Sequence, residues 1–143
     1  MARKNKVIID TNVFVSGLLS PSGIPGLILY RFRQGDFQIY TSRAQISEIR
    51  AVLKRPSLQR ALPKGTTKEV LKFFVQFKKL TKLFNPLPLK WDFPDRHDHF
   101  LLDLAATSKA NFLVTGDKKL QSLLLVEECS IVSPSEFIAR LTF

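Results

Sequence analysis

The sequence predicts an α/β protein, a three-layer α/β/α sandwich on a mainly parallel sheet of about five strands. Short β-branched or apolar runs at residues 7–9, 37–41, 112–115 and 130–132 alternate with stretches of helical periodicity, the order that right-handed parallel crossovers need. No internal repeat, linker or low-complexity tract interrupts that alternation. A length of 143 residues with 45% hydrophobic content is enough to bury one core, so a single domain over residues 1–143 is expected.

Taken in order, Val7, Ile8 and Ile9 follow a basic tail and lead into Asp10, Thr11 and Asn12, as a buried parallel strand with an acid at its carboxyl end would. Residues 13–19 read as a helix and 20–23 as a turn. Pro25 opens a second helix that Gly35 stops, following the Pro-first, Gly-last asymmetry of helix ends. Residues 37–41 form the second strand. Over 42–55, Ile46, Ile49 and Leu53 define one apolar helical face, Glu48 falls off it, and Pro56 closes the helix. Over 68–80, Val70, Phe73, Phe74, Phe77 and Leu80 form a buried side at helical spacing, which makes the phenylalanines core rather than base-stacking platforms. On the same stretch Lys68, Lys72, Lys79 and Lys82 fall within about 80° of arc as a basic stripe. Pro86, Pro88 and Pro94 make 83–94 an edge strand or extended connection. A helix over 96–109 turns Phe100, Leu101, Leu104 and Ala105 inward, and residues 112–115 return to the sheet with Asp117 just beyond. A helix near 120–126 precedes a last strand at 130–132. Ser133-Pro134-Ser135-Glu136 then forms a capping box with Pro134 at the first helical position, and residues 137–141 complete the final helix.

Lys and Arg outnumber Asp and Glu by 22 to 12, a net charge of +10 that favours a polyanionic partner such as nucleic acid. Cys129 is the only cysteine, and no apolar leader segment precedes a cleavage site, so a reducing cytoplasm is expected. No apolar stretch approaches the roughly 20 residues that span a bilayer, so no membrane partner is expected.

Against that basic background, Asp10, Glu48, Asp98 and Asp117 all fall at strand ends or on helices. Carboxylates brought together repel unless a cation holds them, and oxygen-only donors suit Mg²⁺ or Mn²⁺. Ligands of open parallel sheets bind beyond the carboxyl ends of the strands, so Asp10 and Asp117 should open onto one crevice. Taken alone, Asp10-Thr11-Asn12 also fits a simple turn or helix cap. A phosphate hydrolase with an aspartyl nucleophile would carry a second Asp two positions on, where this chain has Asn12.

The run Val7-Ile8-Ile9-Asp10-Thr11-Asn12-Val13-Phe14 resembles the opening of PIN-domain proteins. Three later segments agree in order: Ser47 through Pro56 with its Glu48, Asp95 through Leu102, and Phe112-Leu113-Val114-Thr115-Gly116-Asp117-Lys118. The resemblance covers nearly the whole chain and is nearest to toxin-like ribonucleases akin to VapC. It implies that Asp10, Glu48, Asp98 and Asp117 hold Mg²⁺ or Mn²⁺, with Asn12, Ser16 and Thr115 as polar positions that orient the first acid or touch substrate. The third acid stays open between Asp98 and Asp95. Asp98 lies two residues before Phe100, as the family's acid commonly does, whereas Asp95 suits an N-cap or a supporting role. Asp103 lies about 140° round a helix from Asp98 and cannot easily share its ion. His97 and His99, two apart with no cysteine pair, do not make a zinc set.

The resulting expectation is a metal-dependent endoribonuclease, the toxin of a pair held in check by a small antitoxin, with a homodimer through the early helices as a further implication. The basic stripe, or alternatively Arg31, Arg33, Arg50, Arg55, Lys118 and Lys119, would contact RNA phosphates. The competing expectations are an inactive RNA-binding or assembly module of the same fold, and a DNA-directed nuclease, for which 143 residues leave little room for clasping elements.

Overall fold

The computed structural model describes residues 4–141, apart from the side chain of His97. Strand β1 (Asn5–Ile9) lies at the centre and is followed by helices α1 (Thr11–Leu19) and α2 (Ile24–Arg33). Next come β2 (Phe37–Ser42), α3 (Arg43–Leu53), a short α4 (Pro56–Ala61), α5 (Thr67–Leu80) and the edge strand β3 (Lys82–Phe84). An extended segment leads to a single 3₁₀ turn at Arg96–Asp98, and α6 (His99–Ser108) and β4 (Phe112–Val114) follow. The chain ends with α7 (Lys118–Gln121), β5 (Leu125–Val126), β6 (Cys129–Val132) and α8 (Pro134–Leu141). The sheet runs β3-β2-β1-β4-β6-β5, parallel throughout except for β5 against β6.

Alternate side chains of each strand enter opposite cores, because successive residues of a strand point to opposite faces. Val7, Ile9, Ile39 and Val114 join Phe14, Ile49, Phe74 and Phe137 on one face; Ile8, Tyr40, Leu113 and Ile131 join Leu101, Leu104 and Leu120 on the other. On the first face Phe77 of α5 packs 4.7 Å from Phe14 of α1 between ring centroids, so the phenylalanines of 68–80 are core. Gly35 takes φ +81° and returns its amide to the Phe32 carbonyl, ending α2 as the sequence implies. Among the described residues no single helix is long and apolar enough to cross a membrane.

Four local expectations change. The predicted helix near 120–126 shrinks to α7, and Leu125–Val126 becomes a sixth strand, turned back against Cys129 through Glu127 at φ +54°. Pro56 does not merely close α3 but serves as the first residue of α4, where its missing N–H costs nothing. Within 83–94 only the first residues pair, at the sheet edge, and Lys82 starts β3 instead of extending the α5 stripe. The capping box is half formed: the Glu136 amide donates to Ser133 Oγ at 3.1 Å, while the Glu136 carboxylate pairs with Arg140 at 2.8 Å.

Candidate active site

The order of strands reverses at β1 and β4, which are neighbours although the helices that follow them, α1 and α7, cover opposite faces. Such a switch point leaves a crevice beyond the strand ends. Asp10 stands there, its amide bonded to the Val114 carbonyl at 2.9 Å and its side chain capping α1 by accepting from the Asn12 amide at 3.3 Å. The other carboxylate oxygen accepts from the Thr115 hydroxyl at 2.7 Å. That hydroxyl accepts in turn from the Asp117 amide at 3.1 Å, and the Asp117 carboxylate caps α7 by accepting from the Lys119 amide at 2.8 Å. Thr115 is fully buried, so one hydroxyl fixes the first acid relative to the last.

Gln45 ties α3 to the carboxyl end of β1. Buried at the start of the helix, its side-chain amide donates to the Ile9 carbonyl and its oxygen accepts from the Thr41 hydroxyl at 2.7 Å. Glu48 lies one turn further along α3, half-buried, and acts on Asp10 through its charge without lining the cleft. Asp95 and Asp98 approach from the opposite wall, around the 3₁₀ turn in which the Asp98 amide donates to the Asp95 carbonyl at 3.2 Å. Asp98 is buried where α6 begins. Asp103 faces elsewhere, as the helical angle implies, and binds Leu89 and Trp91.

These walls enclose a cleft of about 560 Å³ onto which Asp10, Asn12, Ser16, Asp95, Asp98 and Asp117 open. A larger cleft of about 690 Å³ between α1, α2 and α5 has only Arg33 and Glu69 as charged lining and contains none of these acids. The smaller cleft is therefore the candidate site. Burial pushes the Asp10 carboxyl above the ordinary aspartate value of 3.8; the Thr115 and Asn12 bonds oppose that rise, and the Glu48 and Asp117 carboxylates add to it.

A divalent cation fits this site by donor chemistry. All the converging groups are oxygens, and the buried Asp10 experiences two like charges that a dication would reverse. The spacing is open, however: among the described residues no three His, Cys, Asp or Glu side chains approach closely enough to hold one ion together.

Gln45, Gln121 and Asp103 are absent from the sequence-derived set. Gln121 donates to the Thr115 carbonyl at 2.7 Å and so supports the Thr115 link. Gln45 was detectable as a polar residue one turn before Ile49 on an apolar stripe, and Asp103 as an acid inside Leu101-Leu102-Asp103-Leu104-Ala105. The histidines supply no metal set: His99 meets the Phe93 carbonyl at 2.9 Å, and the side chain of His97 lies outside the described residues. Cys129 is free and buried, its thiol pushed up to about 12 by burial, which leaves it inert.

A family model described as the PIN domain matches residues 6–119. The chain belongs to the PIN domain family. PIN domains are typically nucleases, and those nucleases generally use divalent metals. This PIN domain is 38% identical over 120 residues to the uncharacterized protein MJ1680 of Methanocaldococcus jannaschii, a match covering 84% of this chain and 76% of that protein. It also superposes on the crystal structure of PAE2754 from Pyrobaculum aerophilum with a TM-score of 0.57, covering 97% of this chain and 98% of the other. At 13% identity that likeness speaks for the fold alone.

Proposed function

We propose that this PIN domain is an endoribonuclease that hydrolyses RNA phosphodiester bonds with Mg²⁺ or Mn²⁺. The observation that carries the proposal is Asp10: a buried carboxylate, locked by Thr115 and the Asn12 amide, with Glu48 and Asp117 raising its proton affinity, in an acidic cleft of a chain with net charge +10. Asp10, Asp98 and Asp117, which line the cleft, would hold the ion, and Glu48, the fourth acid of the family pattern, would act on it from α3 through its charge. When bound, the ion supplies an acidified water and neutralises charge at the phosphate. Thr115 keeps the Asp10 oxygens aimed while the Asp117 backbone is held by the same hydroxyl. Asn12 and Ser16, both exposed in the cleft, would meet the sugar-phosphate chain. The cationic surface raises the local concentration of RNA, and its Arg50 and Lys78 both lie over the Phe74 ring, at 6.0 and 5.2 Å. A toxin role, a small antitoxin partner and a homodimer extend the proposal by the resemblance to VapC-like ribonucleases.

The test is cleavage of mixed RNA and DNA with Mg²⁺, Mn²⁺ or EDTA. RNA cleavage that needs metal and is lost in Asp10→Ala is expected; RNA binding that survives Asp10→Ala, with no cleavage by the parent in Mn²⁺, would refute it. That second outcome is what an inactive RNA-binding or assembly module predicts, a reading favoured by the open spacing of the acids. An adjacent gene for a small DNA-binding protein would be the matching observation for the antitoxin.

A further inference from the structure

The segment between β3 and α6 runs extended across the second face of the sheet and ends at the acids of the cleft. Its attachment is specific. One oxygen of Asp103, a carboxylate only 9% exposed, accepts both the Leu89 amide at 2.9 Å and the Trp91 indole N–H at 2.7 Å. Two residues further on, the Phe93 carbonyl meets the His99 ring at 2.9 Å. Trp91 and Phe93 pack against the core formed by Leu101, Leu104 and Leu113. Between β3 and these anchors the strap is open to solvent, with Leu87 75% exposed. An acid among leucines on the buried side of a helix is costly unless both its desolvation and its orientation are compensated, and two donors on one oxygen supply that compensation.

We infer that Asp103 is a positioning residue: it clamps residues 89–91 to α6, and through this strap sets where Asp95 and the 95–98 turn stand in the cleft. The inference rests on the cleft being the working site, as proposed above, for its functional consequence only. Asp103 and Asp98 belong to the same stretch of chain, one binding the strap and one opening onto the cleft, so the strap and α6 together form a closed loop with the acid turn at its apex. Release of the clamp leaves the segment leading into that turn held by Phe93 and its contact with His99.

The reporter is the Asp98 amide, whose bond to the Asp95 carbonyl is the turn itself. Amide hydrogen exchange would be compared in the parent, Asp103→Leu and Asp103→Asn, with Trp91→Phe, which removes only the indole donor, as the variant for use if Asp103→Leu fails to fold. Asn keeps an acceptor oxygen but not the charge, so it should fall between the parent and Asp103→Leu. In Asp103→Leu, or more weakly in Trp91→Phe, exchange at both the Leu89 and Asp98 amides should rise by about 10-fold or more, as for a lost charge-assisted bond. Faster exchange at Leu89 with Asp98 unchanged would overturn the inference, as would equal loss in Asp103→Asn. A double-mutant cycle with Asp98→Ala on RNA cleavage adds the functional readout: the effect of Asp103→Leu should shrink when the Asp98 carboxylate is already gone, and simple additivity would contradict action through the 95–98 turn. If the parent cleaves no RNA, the nuclease proposal falls while the exchange result still decides the clamp.

Discussion

The two walls of the cleft are held by different means. On the β1–β4 wall, Asp10 and Asp117 follow directly from paired strands, and one buried hydroxyl, that of Thr115, joins them. On the opposite wall, Asp95 and Asp98 lie in a 3₁₀ turn whose place depends on a strap anchored by Asp103 and His99. The first wall is fixed by sheet register, which cannot slip without turning every buried side chain to the wrong face. The second is fixed by a few side-chain bonds. The difference predicts unequal sensitivity to substitution.

The largest effect should come from the acids themselves. Removing a metal-holding carboxylate costs several kcal/mol of transition-state stabilisation, so Asp10→Ala should slow single-turnover RNA cleavage in Mn²⁺ by about 1,000-fold or more. Asp98→Ala should approach that figure, while Asp95→Ala, at the exposed rim, should cost about 10-fold. Equal losses for Asp95→Ala and Asp10→Ala would erase the distinction between the walls and make Asp95 the third acid. Thr115→Val comes next: it keeps the shape but leaves both Asp10 and the Asp117 amide without their partner, and 10–100-fold is expected, with Thr115→Ser near the parent. A Thr115→Val enzyme with parental rate would show that the hydroxyl link is dispensable.

The same contrast governs what was readable from the sequence. Asp10, Thr115 and Asp117 were legible because β-branched runs mark buried strands and ligands gather at their carboxyl ends. Glu48 was legible as a helical residue off the apolar stripe, but its place outside the cleft lining follows from how α3 packs on the sheet, which a helical period alone does not encode. The choice between Asp95 and Asp98 stayed open because both line the cleft, and only three-dimensional packing makes Asp98 the buried one. The sixth strand escaped notice for a local reason. Its turn uses Glu127 and Glu128 where the usual hairpin residues are Asn and Gly, so Leu123, Leu124 and Leu125 looked like one more helical turn.

Metal and pH separate the walls further. Mn²⁺ at about 100 times its dissociation constant should add about 2.7 kcal/mol, roughly 8 °C in melting temperature for a chain of this size. Asp10→Asn should abolish most of that rise. With EDTA present the sign reverses. Because the folded-state value of Asp10 is raised, the native state binds the extra proton and is favoured below the unfolded value of 3.8, and stability is lost as pH rises through the folded-state value. Asp10→Asn lacks that loss, so in chelator it should melt above the parent at neutral pH, with the advantage shrinking toward pH 3.8. A variant less stable than the parent at pH 7 in EDTA would mean that the Thr115 and Asn12 bonds outweigh burial and like-charge repulsion.

The smallest effect concerns two buried hydroxyls, Thr11 Oγ1 beside the first wall and Ser108 Oγ at the end of α6, neither of which has a hydrogen-bond partner among the described residues. A buried hydroxyl without a partner costs about 1–3 kcal/mol, and an apolar group of the same shape recovers part of it. Thr11→Val preserves shape on the rigid β1–β4 wall, where the neighbouring Val13 and Phe14 are already packed, so a gain of about 1 kcal/mol, roughly 3 °C, is expected by calorimetry. Ser108→Ala removes the oxygen without refilling its space, so its gain should be smaller. If Thr11→Val instead destabilises, its hydroxyl has a bridging water or an ion as partner, and the first wall carries one more polar group than its protein contacts reveal.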